Sequence, residues 1–315
     1  MSLKIGIVGA GISGLVCGRA LKKAGHQVTV LEKSRSLGGR CATRKFGDHV
    51  VDHGVQYFTL RDPEVRKEVE TAAGAELRKL TAPIVEAEPK GAVYRDGEER
   101  FYLRSGNHRL GRILAEGLEV LTETEVPRVE KSWRKWKVAG REFEAVVSCA
   151  PWPQSAALAG LRVSEPGYDP CLTVLLEYQV SRAGGEGAYA RMDTSGHDPL
   201  AWIACENVKE GRVAEGCTVY VIQASPEYSR QHLEQNPEYW ASDLQVLLEK
   251  SWSLDPSKRG SVFAHRWRYA RRKEGAPVLK DLPKGFFLCG DSMTDSRLES
   301  VWKSGRTTAD VILGG

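Results

Sequence analysis

The chain has 315 residues, 41% hydrophobic and 27% charged, with a net charge of +4. This is the composition of a globular chain long enough for two domains, and it excludes collagen-like, low-complexity and disordered classes. The positive charge gathers in no Lys/Arg block of the nucleic-acid-arm type, and no apolar run approaches the roughly 18 residues of a membrane span. Neither nucleic acid nor membrane is therefore expected as a partner.

Met1-Ser-Leu-Lys runs straight into Ile5–Val8, which reads as a buried strand with no signal peptide before it. Gly9, Gly11 and Gly14 follow in G-x-G-x-x-G spacing. Leu15, Cys17, Ala20 and Leu21 give an amphipathic helix that Gly25 can end. Val28–Leu31 reads as a second strand, closed by Glu32. Gly9 permits the tight turn, Gly11 lets a pyrophosphate approach the backbone, and Gly14 lets helix and strand pack closely. The helix N-terminus offers free N–H groups to phosphate, and Glu32 can accept from ribose hydroxyls. Ala10, Ser13 and Lys33, inside this unit, join the expected dinucleotide contacts. A glycine-rich turn in an ordinary α/β domain is the plain alternative.

Ser34-Arg-Ser-Leu-Gly-Gly-Arg40 comes next. Gly39 lets the backbone pass a bulky ligand, and Arg40 can neutralise a diphosphate; a solvated surface turn is the other reading. Asp52–Phe58 reads as a half-apolar strand opening at Gly54, with Gln56 and Phe58 on one face and Tyr57 on the other. Asp62–Ala73 reads as a helix with Pro63 in its first turn. Short strands are expected at Leu77–Leu80, Ile84–Ala87, Ala92–Tyr94 and Glu99–Leu103, then a helix over Gly106–Glu116. Val120–Leu121 and Thr124–Val129 read as strands, and Trp133–Val138 with Arg141–Phe143 as a small meander. Ala145–Cys149 reads as a buried parallel strand.

Farther on, strands are expected at Cys171–Val180, Tyr189–Arg191, Ala201–Ala204 and Thr218–Gln223, and helices at Glu227–Leu233 and Glu238–Trp252. Ser181–Gly187 is the most linker-like stretch. In Ser261–Tyr269, alternation puts His265, Trp267 and Tyr269 on one face and Arg266 and Arg268 on the other. That face suits a planar ring and the arginines suit phosphates; a core aromatic ladder with solvated arginines is the alternative. Phe286–Asp291 reads as a buried strand ending in Gly290-Asp291, where an aspartate can accept a sugar hydroxyl. Leu298–Leu313 reads as a helix whose N-terminus, with Arg297, Leu298 and Glu299, can face a ligand that gains negative charge.

The seven cysteines are odd in number, with no C-x-x-C pair, so reduced thiols and a cytoplasmic location are expected. Cys17, Cys149 and Cys289 read as small buried hydrophobes. Histidines and cysteines form no ligand-spaced cluster, so no metal is expected.

Gly38-Gly39-Arg40, Gly54-Val-Gln-Tyr-Phe58, His265-Arg-Trp-Arg-Tyr-Ala-Arg271, Cys289-Gly-Asp291 and Arg297–Gly305 together resemble the renalase family, small flavin oxidoreductases of the amine-oxidase superfamily. The resemblance implies noncovalent FAD and an α/β fold with a Rossmann-type FAD-binding domain beside a mixed α+β substrate domain, in a p-hydroxybenzoate-hydroxylase-like architecture. Residues 1–60, 105–150 and 285–315 would form the discontinuous FAD-binding domain, and 61–104 with 151–284 the substrate domain. In two-dinucleotide flavoproteins the strand at Thr124–Val129 reads the adenine, which nominates Val126. The implied reaction is hydride transfer from a dihydro-nicotinamide dinucleotide isomer to the flavin, with reoxidation by dioxygen to hydrogen peroxide. His265, Trp267, Gln56 and Tyr57 would flank the reacting ring. His53 departs from the apolar residue of that family, and no role is assigned to it. An FAD-dependent amine oxidase or desaturase is the alternative on the same fold, and a flavin-binding protein without turnover the alternative of a different class.

Overall fold

In this computed structural model the described residues are 2–88, 91–94, 97–163, 165, 167–181, 187–276 and 282–314. The first strand, β1 (Lys4–Val8), is buried beyond Lys4. α1 (Ile12–Lys23) follows the glycine turn and buries Leu15, Val16, Cys17 and Leu21, while Lys22 and Lys23 sit at its negative dipole end. β2 (Gln27–Leu31) lies parallel to β1. β3 (Thr43–Phe46) and β4 (His49–Asp52) form an antiparallel ribbon, followed by the short β5 (Phe58–Thr59). α2 (Pro63–Ala73) starts where expected, because the Asp62 carboxylate accepts from Glu64 N and Val65 N.

β6 (Leu77–Leu80), β7 (Ile84–Glu88), β8 (Gly91–Tyr94) and β9 (Arg100–Leu103) match the four expected pieces, and α3 (His108–Ala115) the expected helix. β10 (Glu119–Leu121) precedes the meander of β11 (Glu130–Ser132), β12 (Lys135–Val138) and β13 (Arg141–Phe143). β14 (Ala145–Ser148) is wholly buried. The short α4 (Trp152–Leu158) had no expected counterpart. β15 (Tyr168–Tyr178), β16 (Ala190–Asp193), β17 (Trp202–Cys205) and β18 (Thr218–Gln223) lead to α5 (Pro226–His232) and α6 (Pro237–Trp252). The long β19 (Arg259–Arg272), β20 (Phe286–Leu288) and α7 (Leu298–Leu313) complete the described elements.

Among the described residues, β10-β2-β1-β14-β20 form a five-stranded parallel sheet. Chain order reverses between β1 and β14, and in such sheets ligands bind outside the carboxyl ends of the strands at that reversal. Cores with Ile7, Leu15 and Trp302 on one face and Val146, Trp136 and Phe286 on the other bury the sheet on both sides. α7 lies so close to α1 that a Cβ on Gly305 would fall 2.4 Å from the Ser13 carbonyl oxygen. The second large sheet is mixed, in the order β19-β15-β18-β17-β16-β7-β8. No helix among the described residues is long and apolar enough to cross a membrane.

Three expected strands differ. Thr124–Val129 carries no ladder: Thr124 N bonds Glu32 O and Val129 N bonds Leu158 O, while Pro127 has no N–H to give. Residues 53–57 are not a strand either, because His53 N bonds Ala42 O and Val55 N bonds Arg40 O in a tight passage. A Cβ on Gly54 would fall 2.1 Å from the Arg40 carbonyl oxygen, so only glycine fits. The last strand stops at Leu288; Gly290, at φ +83°, turns the chain into a short 3-10 segment carrying Asp291. The linker-like stretch falls mostly on 182–186, outside the described residues.

Candidate functional site

One continuous cleft of about 2510 Å³ opens at the sheet's carboxyl end. It exceeds the roughly 300–1,000 Å³ of a single small-ligand pocket. Its floor is the glycine turn. Gly9 takes φ +102° and donates to Leu31 O at 2.8 Å. A Cβ on Gly14 would lie 2.4 Å from Cys149 Sγ and 2.5 Å from Gly9 O, so only glycine allows this helix-to-strand approach. A Cβ on Gly11 would meet nothing within 4 Å, because it would point into open space. Gly11 is also the N-cap of α1 and makes no side-chain cap, which leaves first-turn N–H groups for a ligand. The Gly38–Gly39 turn crosses over it, bridging Gly11 to Gly38.

Glu32 is buried at the end of β2. Its Oε2 accepts from Ala10 N, and its Oε1 from Ser34 N and Ser34 Oγ, each at 2.8 Å. Oε2, with a single donor on it, keeps acceptor capacity for a sugar hydroxyl. Lys33 is exposed at the mouth, and Val126 borders the same end. Ser13 is buried beneath Gly290, whose Cβ would lie 2.7 Å from Ser13 Oγ.

The Arg40 guanidinium, expected to meet phosphate, bonds Asp291 Oδ2 at 2.5 Å and the Ala270 carbonyl at 3.1 Å. Asp291 is fully buried and also accepts from Tyr168 Oη at 3.0 Å and Ser296 Oγ at 2.7 Å. Burial opposes its ionisation, but Arg40 and the two hydroxyls outweigh burial and hold its carboxyl below the ordinary value. Two separate expected ligand contacts are thus one ion pair at the cleft wall.

The other end is aromatic. Trp267 stacks on His53 at 5.5 Å and 25°, and its Nε1 donates to the His53 carbonyl at 3.1 Å. His265 meets the His53 ring edge-on at 5.0 Å and Trp267 at 4.2 Å. Burial, then the neighbouring His265, pushes the His53 imidazole down to about 4; burial, then Arg44, also lowers that of His265. Both rings are therefore neutral at ordinary pH. Gln56 is buried, its Oε1 accepting from Tyr189 Oη and Trp202 Nε1. Tyr57 packs against Trp202, and Phe58 turns into the core against Phe101.

The structure thus brings most expected residues to one cleft. Gly14, Ala10 and Gly290 lie behind its surface. Glu299, which follows Arg297 and Leu298 of the rim, points elsewhere: its carboxylate accepts from Arg61 N and Asp62 N and reaches Lys303. The arginines expected to await phosphates are engaged: Arg266 with Gln235 O, Arg268 with Glu234, and Arg271 at 3.6 Å with Asp169. The sequence reading assigns His53 no role and does not single out Arg44, whose guanidinium lies 3.8 Å over the Phe263 ring beside the aromatic face. His49, Glu177 and Cys217 bring ligand-type atoms within 4.8 Å of one another. Ala214 N donates to His49 Nδ1, which leaves the proton on Nε2, facing Glu177 at 3.3 Å; the group satisfies itself by hydrogen bonding.

The comparisons bear on the fold. Residues 7–70 match the family model described as the NAD(P)-binding Rossmann-like domain. A 4,4'-diapophytoene desaturase of Staphylococcus aureus is 36% identical over 84 residues, 25% of this chain but only 16% of the desaturase. A protein from Exiguobacterium assigned as a protoporphyrinogen oxidase shares the fold at TM-score 0.79 and 15% identity, with both chains covered in full. Cyclohexylamine oxidase from Brevibacterium oxydans does so at 0.74 and 14%, over 100% of this chain and 99% of that one. The class is therefore a Rossmann-type dinucleotide-binding α/β protein. Its particular fold, with a mixed second sheet over the cleft, is that of these oxidase structures.

Proposed function

We propose that the chain is an FAD-dependent oxidoreductase, holding its flavin without a covalent bond and oxidising dihydro-nicotinamide dinucleotide isomers, as the renalase-like motifs suggest. One observation carries the reading: a single cleft joins the glycine turn and two helix N-termini without side-chain caps, those of α1 and α7, to an aromatic wall. The residues fit the group. Gly9, Gly11, Ser13 and Gly39 would line its pyrophosphate, Glu32 its ribose, and Val126 its adenine. The Arg40–Asp291 pair would take a sugar hydroxyl, and Arg297 and Leu298 the ring's polar edge. Bound FAD supplies hydride acceptance and, with dioxygen, peroxide formation.

The chain's own part is binding and orientation. Trp267, His265 and Tyr57 offer flat faces that hold a reduced pyridine ring, and hydride donation needs its carbon about 3–3.5 Å from the acceptor. Gln56, locked by Tyr189 and Trp202, fixes the loop that carries Tyr57, while β19 carries His265 and Trp267. No base is required, because the oxidised ring becomes aromatic without losing a further proton. The neutral imidazoles suit that chemistry.

An amine oxidase or desaturase is the second reading, favoured by the likeness to putrescine and cyclohexylamine oxidases and to a diapophytoene desaturase. Acid precipitation should leave yellow FAD in the supernatant. Anaerobic mixing with chemically isomerised NADH should bleach the flavin, and ordinary NADH and primary amines should not. Bleaching by amines alone promotes the second reading; a protein that takes up no FAD overturns both.

A further inference from the structure

We propose that His53 is a specificity-determining residue, presenting a neutral Nε2–H donor to a carbonyl oxygen carried on the ring of the bound substrate. This rests on the reading that the cleft takes a pyridine-type ring, and it assigns a role to a side chain outside the motifs that suggested that reading.

The ring of His53 is held on several sides. Trp267 stacks on it, His265 meets it edge-on, and Phe263 meets it at 5.9 Å and 89°. Its backbone is fixed as well: its N–H bonds Ala42 O, and its carbonyl accepts from Trp267 Nε1. The residue is nine-tenths buried yet borders the cleft. Nδ1 is sealed from solvent and has no hydrogen-bond partner. The edge left to face the cleft is therefore the one carrying Nε2.

The tautomer follows. A proton on Nδ1 would bury an orphan N–H donor, which native structures avoid more strictly than an unsatisfied acceptor. Nδ1 therefore carries the lone pair and Nε2 the proton. Burial and the adjacent His265 keep the ring from gaining a second proton at ordinary pH. What remains is an uncharged donor beside two flat faces. A carbonyl on the ring's rim, such as a carboxamide oxygen, matches it. A plain hydrocarbon ring leaves it without a partner, and an ammonium group has no lone pair to offer it.

The test uses two probes that differ only in the carboxamide, 1-methylnicotinamide and 1-methylpyridinium, on FAD-loaded protein. Wild type should bind the first about tenfold more tightly. In H53F, which keeps the stacking, the ratio should fall to near one through weaker binding of 1-methylnicotinamide alone. H53Q, which restores an N–H donor, should recover part of it. Long-range ¹H–¹⁵N spectra should report the Nε2–H tautomer for the resonance lost in H53F. An Nδ1–H tautomer, or a ratio unchanged in H53F, overturns the inference alone. Failure of wild type to bind either probe overturns it together with the substrate reading, while FAD retention still reports on the cofactor.

Discussion

The guanidinium of Arg40 and the carboxylate of Asp291 meet at 2.5 Å across the cleft wall, joining the turn after β2 to the turn after β20. Removing Arg40 leaves the Asp291 carboxylate buried without its cation, and removing Asp291 leaves the half-buried Arg40 with backbone carbonyls alone. We expect Asp291→Ala to weaken FAD retention by about 1.5–3 kcal/mol, roughly tenfold to a hundredfold in affinity. Glu32→Ala should lose a similar amount. Arg40→Ala should follow Asp291→Ala, and the double variant should be less than additive. Flavin dissociation constants measured by fluorescence check this; unchanged values in all variants would refute the assignment.

Two glycines three residues apart should respond oppositely. Gly14→Ala places a methyl 2.5 Å from the Gly9 carbonyl, and backbone cannot yield cheaply. It should destabilise the fold by about 1–3 kcal/mol or more, and Cys149→Ala should not rescue it. Gly11→Ala meets nothing, so urea stability without flavin should stay within about 0.5 kcal/mol of wild type. FAD retention should nevertheless fall sharply, because the methyl points where a pyrophosphate would lie.

Asp52, Glu206, Lys209 and Arg212 form a fully buried ionic group. Lys209→Met should cost about 3–5 kcal/mol by leaving two buried carboxylates to share the Arg212 guanidinium, one negative charge uncompensated. A milder loss in urea melts, below about 1 kcal/mol, would show that water or rearrangement relieves the site.

Acid should destabilise the protein through Asp52 and Asp291. Burial raises the pKa of each, but their cationic and hydrogen-bonding partners outweigh it, and both lie below the ordinary 3.8. Their contribution is whole above 3.8 and is lost as pH falls through the lower folded values. Glu206, raised chiefly by burial, has the opposite sign and offsets part of this. Denaturant midpoints should drop less steeply with acid in D291N than in wild type.

Trp267→Ala should slow flavin reduction by isomerised NADH more than it weakens flavin binding. Trp267→Phe keeps a flat face but loses the bond to the His53 carbonyl, so it should fall between. Stopped-flow rates with separate flavin titrations distinguish the two effects.

The dinucleotide unit was legible because its signals are local. Gly9, Gly11, Gly14 and Glu32 stand within one strand–helix–strand run, and Ile5–Val8 and Ala145–Ser148 are apolar enough to declare burial. Partnerships between distant residues were not legible. Nothing near Arg268 names Glu234, and nothing near Arg40 names Asp291. Residues 53–57 alternate like a strand, yet Gly54 is pressed against the Arg40 carbonyl, and that tertiary contact breaks the ladder. Glu299 looked like a helix-entry ligand, but its helix turns that side chain toward Arg61 and Asp62. His53 was passed over because its meaning comes from Phe263, His265 and Trp267, brought to it by β19.

The packing of Gly305 against Ser13 has a consequence for how the molecule is made. α1 cannot reach its final seat, nor the parallel sheet its last strand, until residues 286–313 have been synthesised. The glycine turn is made long before the segment that completes it. Such long-range closure is slow, and it leaves an apolar helix face exposed meanwhile. The nascent chain should therefore depend on chaperones, and gain the ability to capture a dinucleotide only as α7 docks.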